Sequence, residues 1–264
     1  MLKLDELVFS LEKIAPLSIS EKMIAAGEYD NSGIIIRAHE NVNKILFCLD
    51  LSDKSVNRAK RVGADTVVTH HPAIYYPIKN LSYIDKTTSP VLSAAANGMN
   101  VVSMHLNLDA AEKGIDYYLM KGLGGEKYKI LDYLDETHGY GREFSVNKVA
   151  FSTYVAGIKR TFNSKKIIAY GKKNDLVNMV ASFCGGGYDH ALAMVKKRVT
   201  DADVIISSDM PHHVLKELTE YGKKVVIIPH YVSECYGFNE FYKSVSADIN
   251  NKVESVFFDD KRFR

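Results

Sequence analysis

The sequence predicts an α/β protein: two similar α/β lobes forming a layered, mostly parallel sheet fold. Three observations carry this expectation. Apolar, β-branched runs alternate with amphipathic helical stretches along the chain, the pattern of parallel strands joined by crossover helices. No repeat of solenoid period and no low-complexity tract interrupts that alternation. The two halves also echo each other. Each has a strand running into a His-His pair or its neighbourhood, followed by a strand ending at a histidine, His105 in the first half and His230 in the second.

The elements follow in order. "MLKLDELVFSLEKIAPL" mixes acids with apolar residues and reads as an amphipathic helix, not as the unbroken apolar core of a signal peptide. "NKILFCLDLS" is a strand and "SVNRAKRVGA" a polar helix; "DTVVTHH" is a buried-type strand. "PVLSAAANG" is a small-residue helix ending at Gly98, "MNVVSMH" the next strand, and "GIDYYLMKGLG" a helix closed by glycines. The polar stretch "YLDETHGYGRE" reads as the junction, giving lobe one over residues 1–132 and lobe two over 145–264, with no inserted middle domain. In the second lobe "KVAFSTYV" and "KKIIAYG" read as strands, "HALAMVKKRV" as a helix, "ADVIISSD" as a strand and "HHVLKELTEYG" as a helix. "KKVVIIPH" is a further strand, "YVSECYGFNEFYKSVSADI" the closing helix and "VESVFFDD" a last short strand.

Composition bounds the function classes. The 264 residues are 46% hydrophobic and 25% charged, the balance of a globular protein with a sizeable core. A formal net charge of +2 gives no general attraction to nucleic acid or anionic membranes. No stretch approaches the roughly 18 apolar residues of a membrane span. The cysteines, Cys48, Cys184 and Cys235, are sparse, odd in number and without a CxxC pair, so a reducing, cytoplasmic location is expected.

Six of the nine histidines lie in four places, each after an apolar strand-like run: His70 with His71, His105, His212 with His213, and His230. Ligands of open α/β sheets bind beyond the carboxyl ends of strands, so these imidazoles stand where a site belongs. Pro72 biases His71 towards extended backbone as the chain leaves its strand, and the two adjacent rings could serve two metals. Alternatively they are strand-end polar groups hydrogen-bonded to backbone. In "VVSMHLNLDAAEKG", Asp109 offers a hard oxygen ligand or a helix N-cap, and His105 a ligand or a group orienting one. In "VVIIPHYVSECYG", His230 and Glu234 share a helical face, which suits one metal, two bridged metals or an ordinary surface helix. "DVIISSDMPHH" offers Asp209, His212 and His213 beside the site, or a capped first turn. "FCGGGYDH" could bring backbone close to an anion or simply turn tightly. HExxH, GxxxxGK[ST], GxSxG and GxGxxG are all missing, which removes the main evidence for zincin, P-loop, serine-hydrolase and dinucleotide readings.

Taken together, six segments resemble, in order, those of the Nif-three-like (YbgI-type) family, whose members are often labelled GTP cyclohydrolase 1 type 2 homologues. They are "YDNSG", "THHPAIY", "HLNLDAAEKGID", "CGGGYDHAL", "SSDMPHH" and "HYVSE", and they span almost the whole chain. The resemblance implies a metal site between the lobes, with His70, His71, Asp109, His230 and Glu234 holding two divalent transition-metal ions and a bridging carboxylate and water. Mixed imidazole and carboxylate ligands admit Zn, Fe, Mn, Co or Ni. Two departures stand out: Tyr29 occupies the position where relatives often carry Trp, and Ser207-Ser208 replaces Thr-Gly. The family also implies a ring-like homo-hexamer.

The expected activity is metal-dependent hydrolysis, with GTP cyclohydrolase-type ring opening of a nucleotide as the family's suggestion. His105 and His213 are the candidates for proton transfer. A metal-bound oligomer without turnover, binding a protein or nucleic-acid partner, is the alternative.

Overall fold

Most of the β-branched runs become strands at the places their pattern predicts. The structure, a computed structural model, describes residues 2–264. Contacts gather into two units. The first runs to Leu108 and resumes over Phe238–Asp260; the second is Asp109–Gly237 with Lys261–Arg264.

In the first unit, β1 (Leu2–Lys3) leads into α1 (Leu4–Glu12) and α2 (Leu17–Ala25). Leu4, Leu7 and Leu11 repeat at helical spacing and are buried, so the amphipathic helix expected of this stretch is found over Leu4–Glu12, with Leu2–Lys3 before it in a strand. Strand β2 (Gly33–Ile36) precedes β3 (Asn41–Val42), which pairs antiparallel with β1. Then come β4 (Lys44–Cys48), α3 (Asp53–Val62), β5 (Thr66–Thr69), α4 (Ser89–Ala96), β6 (Asn100–Ser103) and α5 (Leu106–Ala110). Strands β4, β5 and β6 are parallel neighbours, and β2 adds antiparallel to β6. Helix α3 starts at Ser52, whose hydroxyl accepts the Ser55 N–H, and stops at Gly63, whose φ of 72° is left-handed and suits glycine. Its Val56 and Ala59 pack on Leu46, Val67 and Val101 of the sheet.

The second unit holds α6 (Ile115–Gly122), β7 (Tyr128–Tyr133), β8 (Gly139–Ala150), α7 (Phe151–Thr161), β9 (Ile168–Tyr170) and β10 (Leu176–Ser182). It continues with α8 (Tyr188–Lys196), β11 (Val204–Ser207), α9 (His212–Glu220) and β12 (Lys224–Ile227). Its sheet runs β7-β8-β10-β11-β12-β9. Only the central β10, β11 and β12 are parallel; β7, β8 and β9 pair antiparallel. The stretch read as a junction is here a hairpin, with Tyr133 paired to Gly139, and so short a turn permits only antiparallel pairing.

"KVAFSTYV" is a correction of a different kind. Its strand ends at Ala150, and "FSTYV" opens α7. Phe151, Tyr154, Val155 and Ile158 are the buried residues of that helix, a period of 3.6 that only the downstream "GIKRT" completes. Local β-branched and aromatic content was outvoted by packing.

The chain closes with α10 (His230–Ile249) and β13 (Glu254–Phe258). Strand β13 joins the first sheet parallel to β4. Phe238 and Phe241 cover the sheet face opposite α3, their ring centroids 6.3 and 6.4 Å from that of Phe47. Among the described residues, no helix is long and apolar enough to cross a membrane.

One buried ion pair braces the second unit. Arg142 of β8 and Asp116 of α6 are both fully buried, with Nη1 3.3 Å from Oδ2. Arg142 also donates to Gly139 O at 2.8 Å, and Cys184 N–H donates to Asp116 Oδ1 at 3.1 Å. Burial pushes the Asp116 carboxyl up, against the pull of the guanidinium. Replacing Arg142 by Leu strands that carboxylate, so Arg142→Leu should lose about 3–5 kcal/mol in urea unfolding. A loss below about 1 kcal/mol would show that the pair is not the brace.

Candidate metal centre

Neighbouring side chains of a strand point to opposite faces, yet His70 and His71 come together with ring centroids 4.9 Å apart. The reason is local. Strand β5 ends at Thr69, and both His70 N–H and His71 N–H then donate to Leu49 O, at 3.1 and 2.9 Å. Pairing alternation stops there, and Pro72, which has no N–H to give a ladder, keeps the chain from resuming it. Thr69 Oγ1 donates to His71 O at 2.8 Å and locks the bend.

His105, just past β6, completes an imidazole cluster. Its ring centroid lies 5.3 Å from His70 and 5.9 Å from His71. Each ring is held at Nδ1. His70 Nδ1 meets Met104 O at 2.8 Å, His71 Nδ1 meets Asp50 Oδ1 at 2.7 Å, and His105 Nδ1 meets Asp30 Oδ1 at 2.7 Å. Acceptors at Nδ1 assign the proton to that nitrogen and place the lone pair on Nε2, the arrangement by which proteins orient metal-binding histidines. Asp30 is itself fixed by Ser20 and by Ser32, whose hydroxyl donates at 2.7 Å. Its burial works against charge, but the hydrogen bond from His105, the His105 charge and the two hydroxyls hold the carboxyl below the usual range.

The second unit has buried carboxylates of its own. Asp109 of α5 is 5% exposed and accepts the Cys184 thiol at 3.3 Å. Burial pushes that thiol far up, and the charges of Asp109, Asp116 and Glu234 push it further, so Cys184 is a neutral donor, not a thiolate. Glu234 lies one helical turn past His230 in α10, 2% exposed, with Oε1 2.9 Å from His230 Nε2. His230 Nδ1 bonds Asp209, which follows β11 in left-handed backbone at φ 49°. Glu234 beside it, opposed by burial and helped by Asp209, raises His230 to about 11.

The "CGGG" turn has a steric reason. Gly185, at φ +54°, packs so closely on Glu234 that a Cβ would overlap Oε1 and stand 3.4 Å from His230 Nε2. Backbone does approach an anion there, and the anion is the protein's own carboxylate. His213 is exposed in the first turn of α9. The side chains that belong to donor groups able to hold a metal ion are His70, His71, His105, Asp109 and Glu234. His230 and His213 fall outside those groups among the described residues. Sequence reasoning assigned no role to Asp30 or Asp50, which hold rings. Asp50 follows the apolar run of β4, the same strand-end rule that flagged the histidines.

The fold and these donors define a two-unit α/β protein with His, Asp and Glu groups able to bind a metal. A sequence model of the family described as Duf34/NIF3 (NGG1p interacting factor 3) matches residues 2–262, and the chain belongs to that family. The GTP cyclohydrolase 1 type 2 homolog of Clostridium perfringens (strain 13 / Type A) is 27% identical over 259 residues, covering 97% of this chain and 95% of the relative. NGG1-interacting factor 3 of Saccharomyces cerevisiae is 24% identical, covering 95% and 93%. Among solved structures, a Bacillus cereus protein related to NIF3 matches with a TM-score of 0.87 at 17% identity, covering 100% of this chain and 99% of that one. Reduced HcgD from Methanocaldococcus jannaschii matches with a TM-score of 0.80 at 25% identity, covering 98% of each.

Gly185→Ala tests the carboxylate packing. The left-handed backbone costs about 1–2 kcal/mol for a residue with a Cβ. The overlap pushes Glu234 away from His230, so the imidazole should titrate well below about 11 in an NMR titration. An unchanged His230 titration would show that the turn does not set this contact.

Proposed function

We propose that the chain is a metal-dependent hydrolase in which His70, His71, Asp109, His230 and Glu234 hold two divalent transition-metal ions, Zn, Fe, Mn, Co or Ni. The observation that carries this reading is the set of three imidazoles, each tied at Nδ1 by a carbonyl or carboxylate. Such ties cost ordering entropy and are used where Nε2 must be aimed. The donor chemistry fits: imidazole nitrogen and carboxylate oxygen, with the nearby sulfur kept neutral. Two ions bound there would supply Lewis acidity and a water acidified towards neutrality.

The chain's own residues do the remaining work. His105 keeps a proton on Nδ1 through Asp30, so Nε2 is the atom that accepts a proton from the reacting centre. Asp30, ionised and buried, stabilises the imidazolium that results. His213, exposed on α9, is the second candidate and would exchange protons with bulk water. The name of the Clostridium perfringens relative supports a nucleotide substrate and ring-opening hydrolysis of the GTP cyclohydrolase type. The family resemblance supports a homo-hexamer. The three buried, unbridged cysteines support a cytoplasmic location. The name of the yeast relative favours a second reading, a metal-bound oligomer that binds a partner without turnover.

Elemental analysis of protein purified without chelator, joined to a formate-release assay with GTP, tests the proposal. Wild type should carry about two ions per chain, and the double variant His70→Ala, His71→Ala should lose both. Full occupancy in that variant sinks the assignment; occupancy without turnover on any nucleotide or phosphoester favours the second reading.

Metal loading should also be proton-coupled. His230 sits at about 11, above its ordinary 6.5, so it is protonated at neutral pH. The stabilising His230–Glu234 pairing is fully present below pH 6.5 and is lost as pH rises through about 11. A metal taken at His230 Nε2 must displace that proton, so apparent affinity should rise about tenfold per pH unit between pH 6 and 9 for this one proton. Calorimetry in two buffers of different ionisation enthalpy measures the release. Glu234→Gln removes the charge that holds the proton, and its release at pH 8 should fall towards zero.

A further inference from the structure

The segment from Pro72 to Thr88 forms neither helix nor strand. Irregular stretches of that length inside a compact unit usually carry function. This one carries Tyr75 and Tyr76, which meet Tyr29 from the segment before β2. The three ring centroids lie 5.1 Å (Tyr29–Tyr75), 4.8 Å (Tyr29–Tyr76) and 4.6 Å (Tyr75–Tyr76) apart. Rings that merely pinned a loop would be buried by it. These remain 41%, 36% and 65% exposed for Tyr29, Tyr75 and Tyr76.

The cluster is tied to the imidazoles. The Tyr75 ring stands edge-on to His105, centroids 5.8 Å apart at 88°. Tyr29 directly precedes Asp30, which holds His105 Nδ1. The Tyr75 hydroxyl donates to Tyr29 O at 2.9 Å, and Asn31 Nδ2 donates to Ile74 O at 2.6 Å, so the two segments are clamped together. An open aromatic surface thus borders the cluster, held by the same short stretch that orients one of its rings.

We infer that Tyr29, Tyr75 and Tyr76 form the recognition platform for a planar heteroaromatic ring on the substrate. Aromatic faces bind such rings by offset stacking, which is tolerant of ring identity. A ring stacked there lies one aromatic contact from His105, the group assigned to proton transfer. The inference rests on the reading of the imidazole cluster as a reaction centre and names what that centre recognises. Tyr76 sets affinity for the ring, and Tyr75 carries its position to His105.

Calorimetric titration with guanosine, and with ribose as the ring-free control, tests this on full-length protein, both chelated and metal-loaded. Guanosine should bind and ribose should not. Tyr76→Ala and Tyr29→Ala should each weaken guanosine binding about tenfold or more in both forms, the scale of one lost stacking contact. Tyr76→Phe keeps the face and should bind within about twofold of wild type. Metal content should be unchanged in all three, because none of these residues is a ligand. Equal binding by wild type and the Ala variants overturns the inference, as does absence of ring-dependent binding in both forms. Tyrosine-dependent guanosine binding by a protein that takes up no metal would keep the platform and reject the metal-centred reading; the reverse pattern would do the opposite.

Discussion

Strand register is the constraint on which the imidazole cluster depends. In the parallel triplet β4, β5 and β6, Cys48 pairs with Thr69 and Thr69 with Ser103. The next residue along β5 is therefore His70, beside Met104, the next along β6. That adjacency lets His70 Nδ1 reach the Met104 carbonyl. Asp50, two residues past Cys48, reaches His71 for the same reason. A one-residue slip would turn every side chain of the strand to the opposite face and break both tethers together. The buried Val67, Val68, Val101 and Val102 thus do more than fill a core. They fix which atoms emerge side by side at the strand ends.

The second unit repeats the device with different groups. Ser182 pairs with Ile206 and Ser207 with Ile227 across β10, β11 and β12. Cys184, Asp209 and His230 then emerge past three neighbouring strand ends. Here the tether runs from His230 to Asp209, and Glu234 follows one helical turn later. A carboxylate 2% exposed is costly to ionise unless it is compensated, and the proton on His230 supplies the compensation. Gly185 makes room for that contact by presenting backbone alone.

This shared logic explains what the sequence made legible. "DTVVTHH", "MNVVSMH", "ADVIISSD" and "KKVVIIPH" are short β-branched runs, each stopped by polar residues. Buried strands of a parallel triplet must read that way, because both their faces are covered. The histidines were legible because they stand at those stops. The ring-holding acids were less so. Asp30 and Asp50 look like ordinary turn carboxylates until the fold brings each to an imidazole distant in sequence. "FSTYV" misled because five residues cannot separate a period of 2 from one of 3.6, and the deciding Ile158 lies outside the stretch. The hairpin of β7 and β8 was hidden for a related reason. Its turn is polar and glycine-bearing, as a linker would be, and only the long-range pairing of β8 with β10 shows it to be sheet.

The electrostatics of the second unit bear on which ions such a centre accepts. Burial first, and then the charges of three acids, Asp109, Asp116 and Glu234, hold the Cys184 thiol protonated. Their roles differ. Asp116 is neutralised within the fold by Arg142 and by the Cys184 N–H, so its charge is committed to structure. Asp109 is bonded by a neutral thiol, a weak donor that satisfies geometry without cancelling charge. Glu234 is balanced by a proton on His230, and a proton is exchangeable where a guanidinium is not. The surroundings of Cys184 thus hold one carboxylate permanently paired and two whose charge an arriving cation can take up. With sulfur silenced and oxygen left as the anionic donor, the unit disfavours soft ions that need thiolate. Under the proposed reading, that balance favours borderline divalent ions that combine carboxylate with imidazole.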